Sequence, residues 1–344
     1  MNTSCGRAFS LRLFAFPRHM RLPLIILPLL AAGPPLLAQS TNVPPAKELR
    51  ALFTGENFDE LEKLLARVSK QKQALEGSPP DRWYIYGLLD TPGTRAPESA
   101  WTNYSAKMER WSQAFPKSVF PRVVRAKLLT SYAWEARGSG YADTVTQEGW
   151  RLFEERLRQA HDILVEAEKL GGSDPELYSA WMTVALGLGW PKPKLDELFN
   201  KGIALDLNYM QLYYNKAYYL LPRWHGEPGD WEAFAKEVGD KRGGEDGDHL
   251  YMLIARRHAW TEKDDFFKNT KFSYARMKRG FEARAKLRPN SNLDRNWYCY
   301  FACLAKDKTT ARALFDQIGS SWDRSVWSNE GRFRQWQQWA SPRP

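Results

Sequence analysis

The chain has 344 residues, 43% apolar and 26% charged, with a formal net charge of +10 from 50 Lys and Arg against 40 Asp and Glu. That balance excludes a disordered or low-complexity chain and is sufficient for a large buried core. Four of the cations, Arg7, Arg12, Arg18 and Arg21, stand in an N-terminal stretch with no acid, so part of the basicity belongs to a targeting segment.

Those arginines lead into Leu22, Leu24, Ile25, Ile26, Leu27, Leu29 and Leu30, and then to a small-residue exit at Leu36-Leu37-Ala38 before Gln39. The order is that of a secretory signal peptide over residues 1–38, with a linker over 39–45. Pro23, Pro28, Pro34 and Pro35 interrupt an apolar run shorter than the roughly 20 residues that span hydrocarbon. The sequence therefore predicts an exported protein, periplasmic or extracellular, with no membrane span after signal cleavage and one domain over 46–340.

From residue 46 onward the pattern is helical. Leu52–Leu61 resembles the short loop between the two helices of a helix–turn–helix repeat unit, and Trp83-Tyr84-Ile85-Tyr86 is the one short candidate strand. Trp150, Phe153, Leu157, His161 and Leu164 draw a single stripe at spacings of three and four along a helix from about Val145 to Leu170. Breaks follow at Gly171-Gly172, Pro191-Lys192-Pro193, Leu221-Pro222, Pro228-Gly229, Gly243-Gly244 and Pro289. Leu170, before Ser173-Asp174-Pro175 and Leu177, superimposes with a 35-residue offset on Leu205, before Asn208 and Leu212. Lys286–Leu293 gives a third copy of this boundary, and Phe115-Pro116-Lys117-Ser118 a fainter fourth.

The most distinctive local sequence is Leu221–Trp231. Arg223, Trp224, His225 and Trp231 are the candidate binding residues, because a cation and an imidazole framed by indoles can hold an anionic or flat ligand. Glu227 and Asp230 beside His225 would be the acid–base set of an enzyme. The competing structural reading gives Pro222 and Gly226 to the turn and Asp230 to a helix cap. In Gly243–His249, Asp248 reads as the cap of the next helix, and the loop lacks calcium-ligand spacing. His249 and His258, nine apart, do not form a two-His metal face. Tyr209, Tyr213, Tyr214, Tyr218 and Tyr219 read as core, and Phe333, Trp336 and Trp339 as a terminal cap. The cations of Arg276–Arg288 read as the solvated side of a helix whose inner face is Ala275, Phe281, Ala285 and Leu287. Cys299 and Cys303, four apart on one helix face, read as small buried residues.

A period near 34 residues with helix–turn–helix units resembles the tetratricopeptide class of helical repeat. The Trp-x-x-Leu-Gly-x-x-Tyr signature is absent, although Trp181 and Gly187 share one helix. The segment Leu220–Gly226 followed by Trp231-Glu232-Ala233-Phe234 also resembles a bacterial domain family of unknown function, which implies no activity. The resemblance implies an all-α fold of stacked antiparallel hairpins, here a compact and irregular α-solenoid, with a concave face for binding. The expected function is that of a non-enzymatic binding or scaffold protein holding a protein, a peptide or an envelope glycan. It uses no cofactor, metal or nucleic acid. The alternative is a cell-envelope polysaccharide hydrolase or lyase acting through His225, Glu227 and Asp230. Serine-elbow, phosphate-loop and His-Glu-x-x-His motifs are missing.

Overall fold

The computed structural model describes residues 45–70, 82–93, 95–138, 140 and 142–341. The expected signal segment and nearly all of the linker lie outside the described residues. Among the described residues there is no strand, and the elements are α-helices joined by short turns. In chain order they are α1 (Ala46–Thr54), α2 (Phe58–Ser69), α3 (Arg82–Leu89), α4 (Glu98–Ala114), α5 (Phe120–Arg137), α6 (Gln147–Lys169), α7 (Pro175–Gly187), α8 (Lys192–Leu205) and α9 (Met210–Tyr219). The second half comprises α10 (Asp230–Arg242), α11 (Gly244–His258), α12 (Phe266–Asn269), α13 (Tyr274–Leu287), α14 (Asn292–Leu304), α15 (Lys308–Ile318), α16 (Arg324–Trp327) and α17 (Glu330–Ala340).

The four repeat boundaries read from sequence are all helix–turn–helix joints: α4 to α5, α6 to α7, α8 to α9 and α13 to α14. At the first copy of the 35-residue offset the Asp174 carboxylate accepts from the Glu176 amide, with Pro175 in the first turn where its missing N–H costs nothing. Ser291 caps α14 in the same way, accepting from the Asp294 amide. Most long helices pack on their sequence neighbours, and α1, α3, α5, α7, α9 and α11 also pack in succession on the next but one. Contacts made mainly between near neighbours are those of an α-solenoid-like array, in which a hairpin buries its stripe against the next.

Several local expectations change. Trp83–Tyr86 lies inside α3, where Ile85, Tyr86 and Leu89 are fully buried at helical spacing; β-branched and aromatic residues favour a strand only where a sheet exists to receive them. Asp248 does not cap α11, which starts at Gly244; its carboxylate instead holds Arg276 Nε at 2.7 Å and Arg279 Nε at 2.5 Å on α13. The buried face of α13 is Met277, Gly280, Phe281, Ala283 and Arg284, whereas Ala275, Ala285 and Leu287 face solvent. Gly280 sets that phase, because a Cβ there would stand 2.6 Å from Met252 Cβ and press on the Asp248 carbonyl of α11. Arg284 accordingly points inward and is not part of a solvated basic face.

The aromatic residues divide between core and rim. Tyr209, Tyr213, Tyr214 and Tyr219 are buried, and Tyr218 is half-buried. At the C-terminus Trp327 and Phe333 are fully buried, while Trp336 and Trp339 stand half-exposed and edge to face under Lys306 and Lys308. No described helix is long and apolar enough to cross a membrane.

Candidate functional site

The chain leaves α9 through a turn that closes on itself: Trp224 N donates to the Leu221 carbonyl at 2.8 Å, His225 N to Tyr219 at 3.1 Å, and Gly226 N to Leu221 at 3.4 Å. Gly226 is needed because a Cβ would fall on the Leu220 carbonyl. The backbone is spent internally, and of the side chains it carries Pro222, Arg223 and Trp224 are half-buried while His225 is exposed.

Arg223 lies between two rings, its Cζ 5.2 Å from the Tyr218 centroid and 4.4 Å from that of Trp260. Its Nε and Nη2 are buried with no hydrogen-bond acceptor. Burial pulls the guanidinium below its usual value, while Tyr218 and Glu262 act in the opposite direction. Trp224 meets Trp134 of α5 edge to face at 5.8 Å and Tyr218 at 5.6 Å. Beyond Trp134 sits Arg137 at the C-terminus of α5, over the rings of Trp134 and Trp150 at 5.6 and 5.3 Å. Its Nη1 donates to the Gly138 and Gly140 carbonyls, and burial lowers its value too. Beneath Tyr218, fully buried His258 receives a stacked contact at 5.6 Å, and its Nε2 meets the Tyr214 carbonyl at 3.0 Å. Burial, with Arg257 and Arg223 nearby, holds this imidazole at about 3, so it is neutral.

The other nominated residues separate from this cluster. His225 stacks on Tyr219 at 4.6 Å, and its Nε2 lies 3.1 Å from the Leu186 carbonyl, to which only a protonated nitrogen can donate. Trp231 is a core residue, 4.6 Å from the Phe272 ring and in edge contact with Phe266 and His258. The Asp230 carboxylate turns back to accept from the Glu227 amide at 2.9 Å, closing the turn before α10. No hydrogen bond links the side chains of His225, Glu227 and Asp230. The structure thus brings Arg223 and Trp224 together and adds Arg137, Trp134, Trp150, Tyr218 and Trp260. Sequence could have flagged Arg137 from its place before Gly138, where a cation meets the last carbonyls of a helix; nothing local signals Trp260.

A second polar cluster is fully internal. Lys127 of α5 contacts Glu176 of α7 and lies 3.8 Å from Asp90, which follows α3. Tyr209 donates to Glu176 at 2.5 Å, and Tyr86 to Asp174 at 3.0 Å. Burial pushes the Asp90 carboxyl up to about 7, opposed by Lys127 and assisted by Glu176. Burial acts to lower the Lys127 ammonium, but Glu176 and Asp90 outweigh it and its value is raised. No group of three or more His, Cys, Asp or Glu among the described residues has an arrangement that could hold a metal ion.

The arrangement is an α-helical array whose α5–α6 and α9–α11 segments share a cation–aromatic cluster. Residues 46–167 match the model of a family described as a domain of unknown function (DUF4034). The match runs from α1 nearly to the end of α6 and so contains Trp134, Arg137 and Trp150; it does not reach Leu220–Trp231, the segment whose sequence resembles a family of unknown function. No curated protein and no solved structure matches the chain.

Proposed function

We propose that the protein is an exported, degenerate tetratricopeptide-like repeat protein that holds a peptide, protein or glycan and performs no chemistry on it. The observation that carries the reading is the Arg223–Trp224 cluster: half-exposed indoles and a desolvated guanidinium with two donors unused, positioned by four helices and a self-bonded turn. Such a surface offers recognition groups and no pair of converging acid and base. The near-neighbour packing of hairpins supports the repeat class, and the basic stretch ahead of an apolar run and Leu36-Leu37-Ala38 supports export. The test is retention on the immobilised protein of envelope proteins, peptidoglycan and soluble polysaccharides, each with a Trp224→Ala control. Specific retention that falls with Trp224→Ala supports the binding reading. Turnover of a retained glycan, measured as new reducing ends, overturns the claim that no chemistry is done.

A further inference from the structure

Arg223 carries a mostly buried positive charge with no negative charge bonded to it. Its Nε–H and Nη2–H lie along the same edge of the guanidinium plane, the edge that receives both oxygens of a carboxylate in parallel hydrogen bonds. Both are buried and without an acceptor. The rings of Tyr218 and Trp260 lie against the guanidinium, their centroids 5.2 and 4.4 Å from Cζ. The acid that acts on Arg223 from a distance, Glu262, is held elsewhere, its carboxylate accepting from the Thr261 hydroxyl at 3.1 Å and the Asn269 amide at 3.1 Å. Arg137, on the Trp134 side of the cluster, is bonded to carbonyls and rings, and among the described residues no carboxylate is bonded to either guanidinium of the cluster.

We propose that the Nε/Nη2 edge of Arg223 anchors the carboxylate of an acidic sugar, a uronate unit of a polysaccharide, whose ring lies against Trp260 and Trp224. This rests on the binding reading above and names its ligand class. A sugar fits better than a peptide because the amides of Trp224, His225 and Gly226 are already bonded within the turn, which leaves no main-chain ladder for a peptide to join. Flat indoles beside a cation suit a pyranose, which presents C–H faces and a carboxylate together. Access to that edge requires a neighbouring side chain to swing aside, and Trp260 is the one placed to do so: it lies against the guanidinium, is 38% exposed and stands on the three-residue turn Ala259–Thr261 after α11.

The experiment titrates the full chain, by calorimetry and tryptophan fluorescence, with an oligogalacturonate, with the same oligomer after reduction of its carboxylates to alcohols, and with a short peptide bearing a free C-terminal carboxylate. Arg223→Met and Arg223→Lys are titrated alongside the parent. The expected result is binding of the oligouronate that weakens as salt rises, with a loss of about tenfold or more on carboxylate reduction or in Arg223→Met, because a bidentate charged contact disappears. Arg223→Lys keeps part of the affinity, since the charge remains and the fork does not. Without ligand, Arg223→Met should melt no lower than the parent, because it removes an unpaired buried cation. Equal affinity for the reduced oligomer, binding of the peptide alone, no binding of any probe, or a large drop in the melting temperature of Arg223→Met would each overturn the proposal. Uronate binding that ignores Arg223→Met would overturn this site and leave the broader binding reading standing.

Discussion

Two buried charge clusters in this array have opposite balances. Around Lys127 three carboxylates, Asp90, Asp174 and Glu176, and two tyrosines surround one ammonium. Around Asp294 the ratio is reversed: Arg284 Nε lies at 2.7 Å, Arg256 Nη1 at 3.0 Å and Arg288 Nη1 at 3.6 Å from one carboxylate. The minority charge decides the outcome at each. Burial would raise Asp294, but Arg284 and Arg256 overcome it and its value falls below the usual range; Asp90, sharing one lysine with Glu176, is left high at about 7. The lesson is an asymmetry of escape. A surplus of carboxylates can shed charge by taking up protons, whereas a surplus of guanidinium groups cannot lose theirs in the accessible pH range.

Asp294→Ala should break the comparison most severely. It leaves buried Arg284 without its carboxylate, which should cost about 3–5 kcal/mol in urea unfolding at every pH from 5 to 8. In the parent, the contribution of Asp294 is present above the unfolded carboxylate value near ~3.9 and is lost as pH falls through its depressed folded value. Lys127→Met should come next and should depend on pH. At pH 8 it strands the acids for a loss of about 2–4 kcal/mol, and by pH 5 proton uptake at Asp90 relieves much of it. A cost equal at both pH values would show that the acids do not escape by protonation.

Asp90→Asn should go the other way. Because the folded value of Asp90 is raised, its contribution to stability is present below ~3.9 and is lost as pH rises through about 7. The variant avoids that loss, so it should be more stable than the parent at pH 8, on the order of 2 kcal/mol, with the gain shrinking toward pH 4. The smallest effect calibrates the others: Lys63→Ala, which removes an exposed pair with Glu60 on α2, should leave the unfolding midpoint where it was.

The helices and most of their joints were legible because apolar spacing, caps and breakers act locally. The 35-residue offset marked the α6–α7 and α8–α9 joints, and the loop-like segment Leu52–Leu61 spans the turn between α1 and α2, although most of it is helical. Failures came where a distant surface decides. Trp83–Tyr86 has the composition of a strand, yet only helical partners are present to receive it, and α13 turned inward on Arg284 because Gly280 lets α11 approach. The site divided likewise. Arg223 and Trp224 stood out as a turn sequence, but Trp231 belonged to the core. Trp134, Arg137 and Trp260 come from helices far along the chain, and so do Asp90, Lys127 and Glu176 of the internal cluster. Sequence spacing carries no trace of such juxtapositions.

Cys299 and Cys303 are both fully buried within α14, and the Cys299 sulfur points to the Ala311 carbonyl 3.7 Å away. Burial pushes the Cys299 thiol far up, so almost none of it is the thiolate that reacts. Neighbouring turns of a helix hold two such side chains at an orientation that suits a disulfide poorly. Once folded, this part of the molecule is therefore indifferent to the redox poise around it, and its vulnerability to oxidation is confined to the interval before α14 docks.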